Sequence, residues 1–488
     1  MLDVRLRDHI DDIAPPLSLA EIRERTPAEA AVELEECGPE PVLVEFETAE
    51  PDRPRGRVLA AAAAVIVASL LGGFALAALV GDRGDVTTAA DDAAGRLPAL
   101  PGDLASAEWR EIAEPFGGLQ AGTTVEVRDV VVSNGVAWAV GSEGLTTERQ
   151  TDGVFDQDAG LSGRAALWRS VDGARWEPFD LGLAPLDAPV AQVTAFEALE
   201  FAVATSDGAM WAFGTDFLFD DSGDDEVFSA APIGYRSSDG ESWQPLTPPP
   251  IDGADSFVTS VSSDGSGVFV EIASADFFAD GSVEDEVLRS FTTVDGETWN
   301  QVSEVFDGDS ARVSLLARGE VISVSNADLS GGSGLPTILA AGPEFFVIVS
   351  EDSGFLPGET IPNDAPFLQE TQIWVSEEGE TWRELELPDW EEPNSDFASA
   401  ALGHDAGVLV IIDRDTQERT EVVLVDVNSA GEVEDLGVLP PAAVDDMFAL
   451  NGQFFLLGRP QSSGDPFEPI PDSLWVAEFP PADAAGDG

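Results

Sequence analysis

Four short stretches each place a hydroxyl, a carboxylate, a glycine and an indole within seven residues. They are SVDGARW (Ser170, Asp172, Gly173, Trp176), SSDGESW (Ser237, Asp239, Gly240, Trp243), TVDGETW (Thr293, Asp295, Gly296, Trp299) and SEEGETW (Ser376, Glu378, Gly379, Trp382). A hydroxyl beside a carboxylate can serve nucleophilic catalysis or help ligate a hard cation. The same pair can instead accept backbone N–H groups of a tight turn while the glycine takes positive φ. Recurrence favours the turn. The motifs start 67, 56 and 83 residues apart, from 170 to 237, to 293 and to 376. Self-similarity of this kind marks a repeat architecture and is weighed before any site chemistry. The indole then covers neighbouring apolar surface, where it buries a large area.

Other chemistry-bearing residues are sparse. Cys37 is the only cysteine, so no intrachain disulfide can form. With only His9 and His404 besides, thiolate or multi-histidine zinc and haem sites are excluded. His404, in LGHDAG, reads as a lone surface residue of a turn with no nucleophile motif to pair with. Two acidic stretches, DFLFDDSGDDEV at 216–227 and DFFADGSVEDEV at 276–287, align with each other. Their oxygens could hold calcium, but neither follows the EF-hand order of ligands, and in so acidic a chain solvated loops are the simpler reading. No catalytic, cofactor-binding or metal-ligating residue is assigned.

The charge limits the partners. The 93 acids outnumber 23 basic residues, all arginine, for a net charge of −70. That excludes a general nucleic-acid binder, which needs a basic face, and disfavours adsorption to anionic lipid.

The elements that must carry the four motifs are β-strands. Two residues before each hydroxyl stands an aromatic: Trp168, Tyr235, Phe291 and Trp374. An apolar strand precedes each motif and a short strand follows the Trp, so each motif is the turn of a β-hairpin. A further strand pair lies upstream of each, for instance around MWAFG (210–214) and EFFVIVS (344–350). About four strands per unit, in tandem, imply an all-β chain folded as a β-propeller, whose units cannot bury their faces alone. Two weaker units follow at 397–438 and 446–480. The last lacks a fourth strand, and EWREI at 108–112 matches TWREL at 381–385, so the segment around Trp109 is expected to complete it. Such closure removes open sheet edges. Six blades fit best, and strand-like sequence at 304–340 leaves room for a seventh.

The motifs resemble the Asp-box, or BNR, repeat, and the resemblance covers most of residues 106–480. It implies a sialidase-like propeller with the boxes on the blade periphery in a structural role. The fourth copy departs from the pattern, with Glu378 where Asp is usual. Asp-box propellers occur in sialidases and other glycosidases, in sortilin-type receptors and in a photosystem assembly factor. Sialidase chemistry needs an arginine cluster, a Tyr nucleophile paired with an acid, and an Asp as acid/base. The only tyrosine, Tyr235, occupies the repeated aromatic slot, and no Arg-Ile-Pro segment precedes the first box. A different glycosidase would need two carboxylates flanking a cleft, and no pair stands out.

One apolar segment divides the chain. Residues 58–80 contain no charge, and 23 helical residues at ~1.5 Å each span about 34 Å, enough to cross a bilayer core. Arg53, Arg55 and Arg57 precede it, which places residues 1–57 in the cytoplasm and the rest outside. A cleaved signal peptide is the runner-up, but the leading segment is far too long for one. Ser69, Gly73 and Ala77 give a small-xxx-small face that permits helix dimers. Ser18 with Glu21, and Thr26 with Glu29, are capping boxes for short helices in the acidic cytoplasmic segment. That segment is a flexible tail or folds on a cytoplasmic partner. Residues 81–105 read as a linker and 481–488 as a disordered tail; the RGD at 83–85 reads as linker charge. The resemblance implies a bacterial source, and absent lysine with abundant Ala, Gly, Asp and Arg agrees with it. The expectation is a single-pass membrane protein with an extracellular propeller, acting as a binding or scaffolding module for a protein or glycan. A glycoside hydrolase and a transmembrane sensor signalling through 1–57 are the alternatives.

Overall fold

The computed structural model describes residues 98–100, 102–120, 123–146, 161–186, 193–220, 227–249, 251, 255–277, 283–306, 312–329, 335–352, 370–388, 395–415, 420–428, 430–441, 443–459 and 472–479. Segments 1–57, 58–80 and 481–488 lie outside them, as does most of the linker. No helix among the described residues is long and apolar enough to cross a membrane.

The described chain is all-β apart from two single-turn 3-10 helices. After β1 (Glu108–Ile112), the first sheet contains β2 (Thr124–Ser133), β3 (Val136–Thr146), β4 (Leu161–Ser170) and β5 (Glu177–Phe179). The second contains β6 (Val193–Ala204), β7 (Met210–Asp220), β8 (Val227–Ser237) and β9 (Gln244–Pro245). A short parallel pairing of 161–163 with 194–196 joins these two. The third contains β10 (Asp255–Ser263), β11 (Val268–Phe277), β12 (Val283–Thr293) and β13 (Asn300–Phe306). Among the described residues the fourth has β14 (Arg312–Ala317) and β15 (Glu320–Ser325). The fifth contains β16 (Leu335–Ala341), β17 (Phe346–Asp352), β18 (Glu370–Ser376) and β19 (Arg383–Glu384), and the sixth β20 (Ser395–Gly403), β21 (Gly407–Asp415), β22 (Thr420–Asn428) and β23 (Val433–Leu439). The last holds β24 (Ala443–Leu450), β25 (Gln453–Arg459) and β26 (Ser473–Glu478), with β1 pairing antiparallel to β26.

The first strands make the ring. β2, β6, β10, β14, β16, β20 and β24 each touch the next, and β24 touches β2. The architecture is therefore propeller-like. Six sheets have four strands, and a two-stranded seventh stands between the third and fifth. The strand-like sequence at 304–340 supplies that extra sheet, so the described residues show seven sheets rather than the six that fit the repeat spacing best. Closure occurs where the repeat pattern places it: Trp109 sits opposite Ala477 and meets Phe454 edge-on at 6.2 Å.

Burial explains the strand sequences. Second strands are covered on both faces by adjacent sheets and so read as unbroken apolar runs. Residues 408–412 of β21, VLVII, are fully buried. The core lies between sheets: Val127, Trp168 and Ala137 of the first sheet pack with Phe448, Phe455 and Leu474 of the last.

Every first strand except β14 carries a bulge, at which the register steps over Arg128, Glu200, Thr259, Thr337, Ser399 and Asp445. Opposite three of these bulges the second strand has glycine. A Cβ at Gly141 would lie 2.0 Å from the Glu126 carbonyl oxygen, so the backbones approach too closely for any side chain.

Candidate functional site

The motif side chains are spent within their own turns. Ser170 Oγ accepts the Gly173 N–H at 2.8 Å, while Asp172 Oδ1 accepts those of Ala174 and Arg175 at 3.0 and 2.9 Å. Ser237 and Asp239 repeat this with Gly240 (2.9 Å), Glu241 and Ser242 (both 2.9 Å). Thr293 and Asp295 do so with Gly296 (2.9 Å), Glu297 (2.9 Å) and Thr298 (2.8 Å). Hydrogen bonds to the ionised form hold the three carboxyls below their ordinary range, led by the N–H of Arg175 for Asp172 and of Thr298 for Asp295. Asp239 is drawn down to about 2, chiefly by the Glu241 N–H. In the fourth turn Ser376 Oγ still accepts from Gly379 at 2.9 Å. Among the described residues none donates a hydrogen bond to the Glu378 carboxyl.

The turns also seal sheet to sheet. Gly173, Gly240, Gly296 and Gly379 have φ of +73°, +70°, +76° and +77°. A Cβ on each would point at a second-strand side chain of the preceding sheet, respectively Phe455, Trp138, Trp211 (with Leu246) and Ile322. The indoles lie alongside. Trp176 and Trp382 are buried. Trp176 Nε1 donates to the Gly173 carbonyl and Trp299 Nε1 to that of Thr247, both at 2.9 Å. Trp243 meets Trp138 edge-on at 5.5 Å.

Of the repeated aromatics, Trp168, Phe291 and Trp374 are buried, and Tyr235 packs against the core between the first two sheets. Burial, then the carboxylates of Glu197 and Asp216, push its phenol above the ordinary value. A phenolate nucleophile requires the reverse. His404 is corrected by the structure. It is not a surface residue but 1% exposed, and its Nε2 lies 2.9 Å from Asp426 Oδ1 of β22. Its Nδ1 accepts the Ala406 N–H at 3.3 Å, so Nε2 donates.

A polar cluster that sequence reading missed lies at the inner strands. Arg128 Nη2 stands 2.7 Å from Glu126 Oε1, and Arg459 Nε stands 3.7 and 3.8 Å from Asp445 and Asp472. Burial raises Glu126; Arg128 and Arg459 oppose it, while Asp445 and Glu200 reinforce it. Asp472 is pushed up to about 7 by burial and by Asp445, although its Oδ2 accepts the Val127 N–H at 2.8 Å. Asp413, beside Ser399 and 1% exposed, is raised by burial to about 8. The half-buried bulge residues Arg128, Glu200, Thr259, Ser399 and Asp445 form the inner polar layer of the ring. Among the described residues no group of three or more His, Cys, Asp or Glu is disposed to hold a metal. Both acidic stretches considered for calcium run partly outside the described residues. A crevice lined by Phe213, Pro232, Leu246 and Val270 holds about 10 Å³, room for no more than one water.

No protein-family profile and no curated protein matches the chain. Among solved structures it is similar to Trypanosoma rangeli sialidase, at 13% identity over 76% of this chain and 59% of that one, with a TM-score of 0.38. It thus spans under two thirds of that enzyme. It is also similar to the GH93 α-L-arabinofuranosidase of Fusarium graminearum, at 12% identity over 76% and 98% of the two chains, with a TM-score of 0.39. The propeller architecture rests on the strand order and ring contacts described above.

Proposed function

We propose that the chain is a membrane-anchored, extracytoplasmic β-propeller that binds or scaffolds a protein or glycan partner without catalysis. The carrying observation is that the side chains best placed by type for chemistry are consumed structurally. The motif hydroxyls and carboxylates accept turn N–H groups, and Tyr235 is packed with its phenol held protonated. The Asp-box resemblance points the same way. What remains on the inner strands is a half-buried layer of mixed charge and hydroxyls, suited to reading a polar ligand by hydrogen bonds and charge. The anchor is the apolar segment 58–80 with its arginine flank. Residues 1–57 are left to meet a cytoplasmic partner.

One observation favours a second reading, glycoside hydrolysis. Asp445 and Asp472 flank Arg459 Nε at 3.7 and 3.8 Å, two acids at one place on the inner side of the sheets, and burial raises Asp472 to about 7. A hydrolysis screen of the full chain against envelope and extracellular polysaccharides tests both. Absence of reducing-end release is expected; release lost in Asp445→Asn would overturn the binding role.

A further inference from the structure

Among the described residues a buried apolar cluster spans six of the seams between neighbouring sheets. It joins last to first, first to second, second to third, fourth to fifth, fifth to sixth and sixth to last. The seam between the third and fourth sheets has none. Alternation along the strands shows what faces it instead. Glu271 lies between Val270 and Ile272, and Ser290 beside Phe291, all three apolar neighbours being turned toward the second sheet. Glu271 and Ser290 therefore point toward the fourth. Ser314 lies between Val313 and Leu315, and Ser323 beside Val324, which are turned toward the fifth sheet. Ser314 and Ser323 therefore point back at the third. Hydroxyls bond one another across each face. Ser290 Oγ donates to Glu271 Oε1 at 3.0 Å, Ser303 Oγ donates to Ser290 Oγ at 2.7 Å, and the Oγ atoms of Ser314 and Ser323 stand 2.8 Å apart. The bonds that cross the seam are polar too. Ser262 Oγ accepts the Leu316 N–H at 2.8 Å, Asp264 Oδ2 accepts the Gly319 N–H at 2.5 Å, and Ser260 Oγ donates to the Ser314 carbonyl at 3.4 Å.

We propose that the ring opens at this seam: the third and fourth sheets part and admit water to Glu271 and its serines while the apolar seams stay shut. Parting an apolar seam exposes buried surface at a cost proportional to its area. Parting this one exchanges protein hydrogen bonds for bonds to water, which changes little on balance. The closed seam also buries polar groups that water would solvate. Ser290 and Ser314 are each 1% exposed and Glu271 is 3% exposed. Arg312 Nε, on the same side of β14 as Ser314, is buried with no hydrogen-bond partner among the described residues. Solvent stands close by, since Ser303 is half-buried and Ser323 exposed. The opening borders the inner layer, because Ser260, which makes one of the crossing bonds, follows Thr259.

Thiol trapping in the full chain tests the opening. With Cys37→Ser as background, Ser290→Cys puts a single thiol in this seam. Ser142→Cys puts one in the seam between the first and second sheets, where Ser142 is 3% exposed and pairs with Ala165 of the apolar cluster. Methyl methanethiosulfonate, small and uncharged, is the probe, and each labelling rate is divided by that of the same variant in denaturing urea. Global unfolding bares both thiols alike, whereas local opening bares one. The Ser290→Cys variant is expected to react at least about tenfold faster than the Ser142→Cys variant, as an opening well below the global unfolding free energy requires. Similar rates, or faster reaction of the Ser142→Cys variant, overturn the opening seam. Should Ser290→Cys fail to fold, Ser314→Cys, equally buried on the other side of the same seam, decides in its place by the same criterion.

Discussion

Two glycines of the first sheet share a backbone geometry and differ in surroundings. Gly173, in the first motif turn, has φ +73° and Gly182 has φ +74°. A Cβ at Gly182 would meet nothing within 4 Å, whereas one at Gly173 would fall 2.3 Å from Phe455 Cζ. Phe455 cannot easily yield. It is buried, and stacks on Phe448 with centroids 4.9 Å apart at 8°. Gly182→Ala should therefore cost only the left-handed backbone penalty, ~1 kcal/mol. Gly173→Ala should add ~1–3 kcal/mol of overpacking at the seam with the last sheet. Equilibrium guanidinium unfolding followed by tryptophan fluorescence measures both, with the slope confirming that the same transition is compared. Equal losses would refute the claim that the motif turns are fitted against the preceding sheet.

Other expected outcomes follow from the carboxyls and the single cysteine. Asp413 is raised to about 8, and Asp472 and Glu271 each to about 7, all chiefly by burial. Each binds a proton in the folded state that the unfolded chain has lost, so stability falls as pH rises from about 4 to 8, by several kcal/mol in order of magnitude. Asp172, Asp239 and Asp295 are depressed, so their contribution is present above the ordinary carboxylate range and is lost below about pH 4. Melting temperatures from pH 3 to 9, in salt high enough to screen long-range repulsion, should peak near pH 5; a flat profile from 5 to 8 contradicts this. Glu378→Asp restores the acceptor that the fourth turn lacks and should stabilise by about 0.5–1.5 kcal/mol in chemical unfolding, with no change weighing against the turn role. Cys37, the only thiol, should resist a membrane-impermeant maleimide in intact cells and react after lysis; labelling without lysis would reverse the proposed topology.

The legible part of the fold was whatever repeats locally. Ser170, Asp172 and Gly173 announced a turn once their sister copies were aligned, and EWREI announced the strand that completes the last sheet. The fourth sheet was less legible because among the described residues it shows two strands, and no motif turn marks it. The inner polar cluster was illegible because ring closure assembles it: Val127 and Asp472 are 345 residues apart in the chain. Bulges compound this, since they aim Arg128 and Asp445 differently from a plain alternation. His404 misled because its glycine-bearing neighbourhood reads as an exposed turn, and its partner Asp426 comes from the third strand of the sheet.

The binding role is tested most directly at the inner layer. Thr259 is a half-buried bulge residue of β10, and a photo-reactive amino acid can replace it without removing a charge. The same residue placed at Val171, exposed in the first motif turn, serves as the comparison. Irradiation of intact cells followed by mass spectrometry is expected to give one discrete envelope protein or glycan adduct at position 259 and none at 171. No adduct at 259, or the same adducts at both positions, would contradict a binding site on the inner strands.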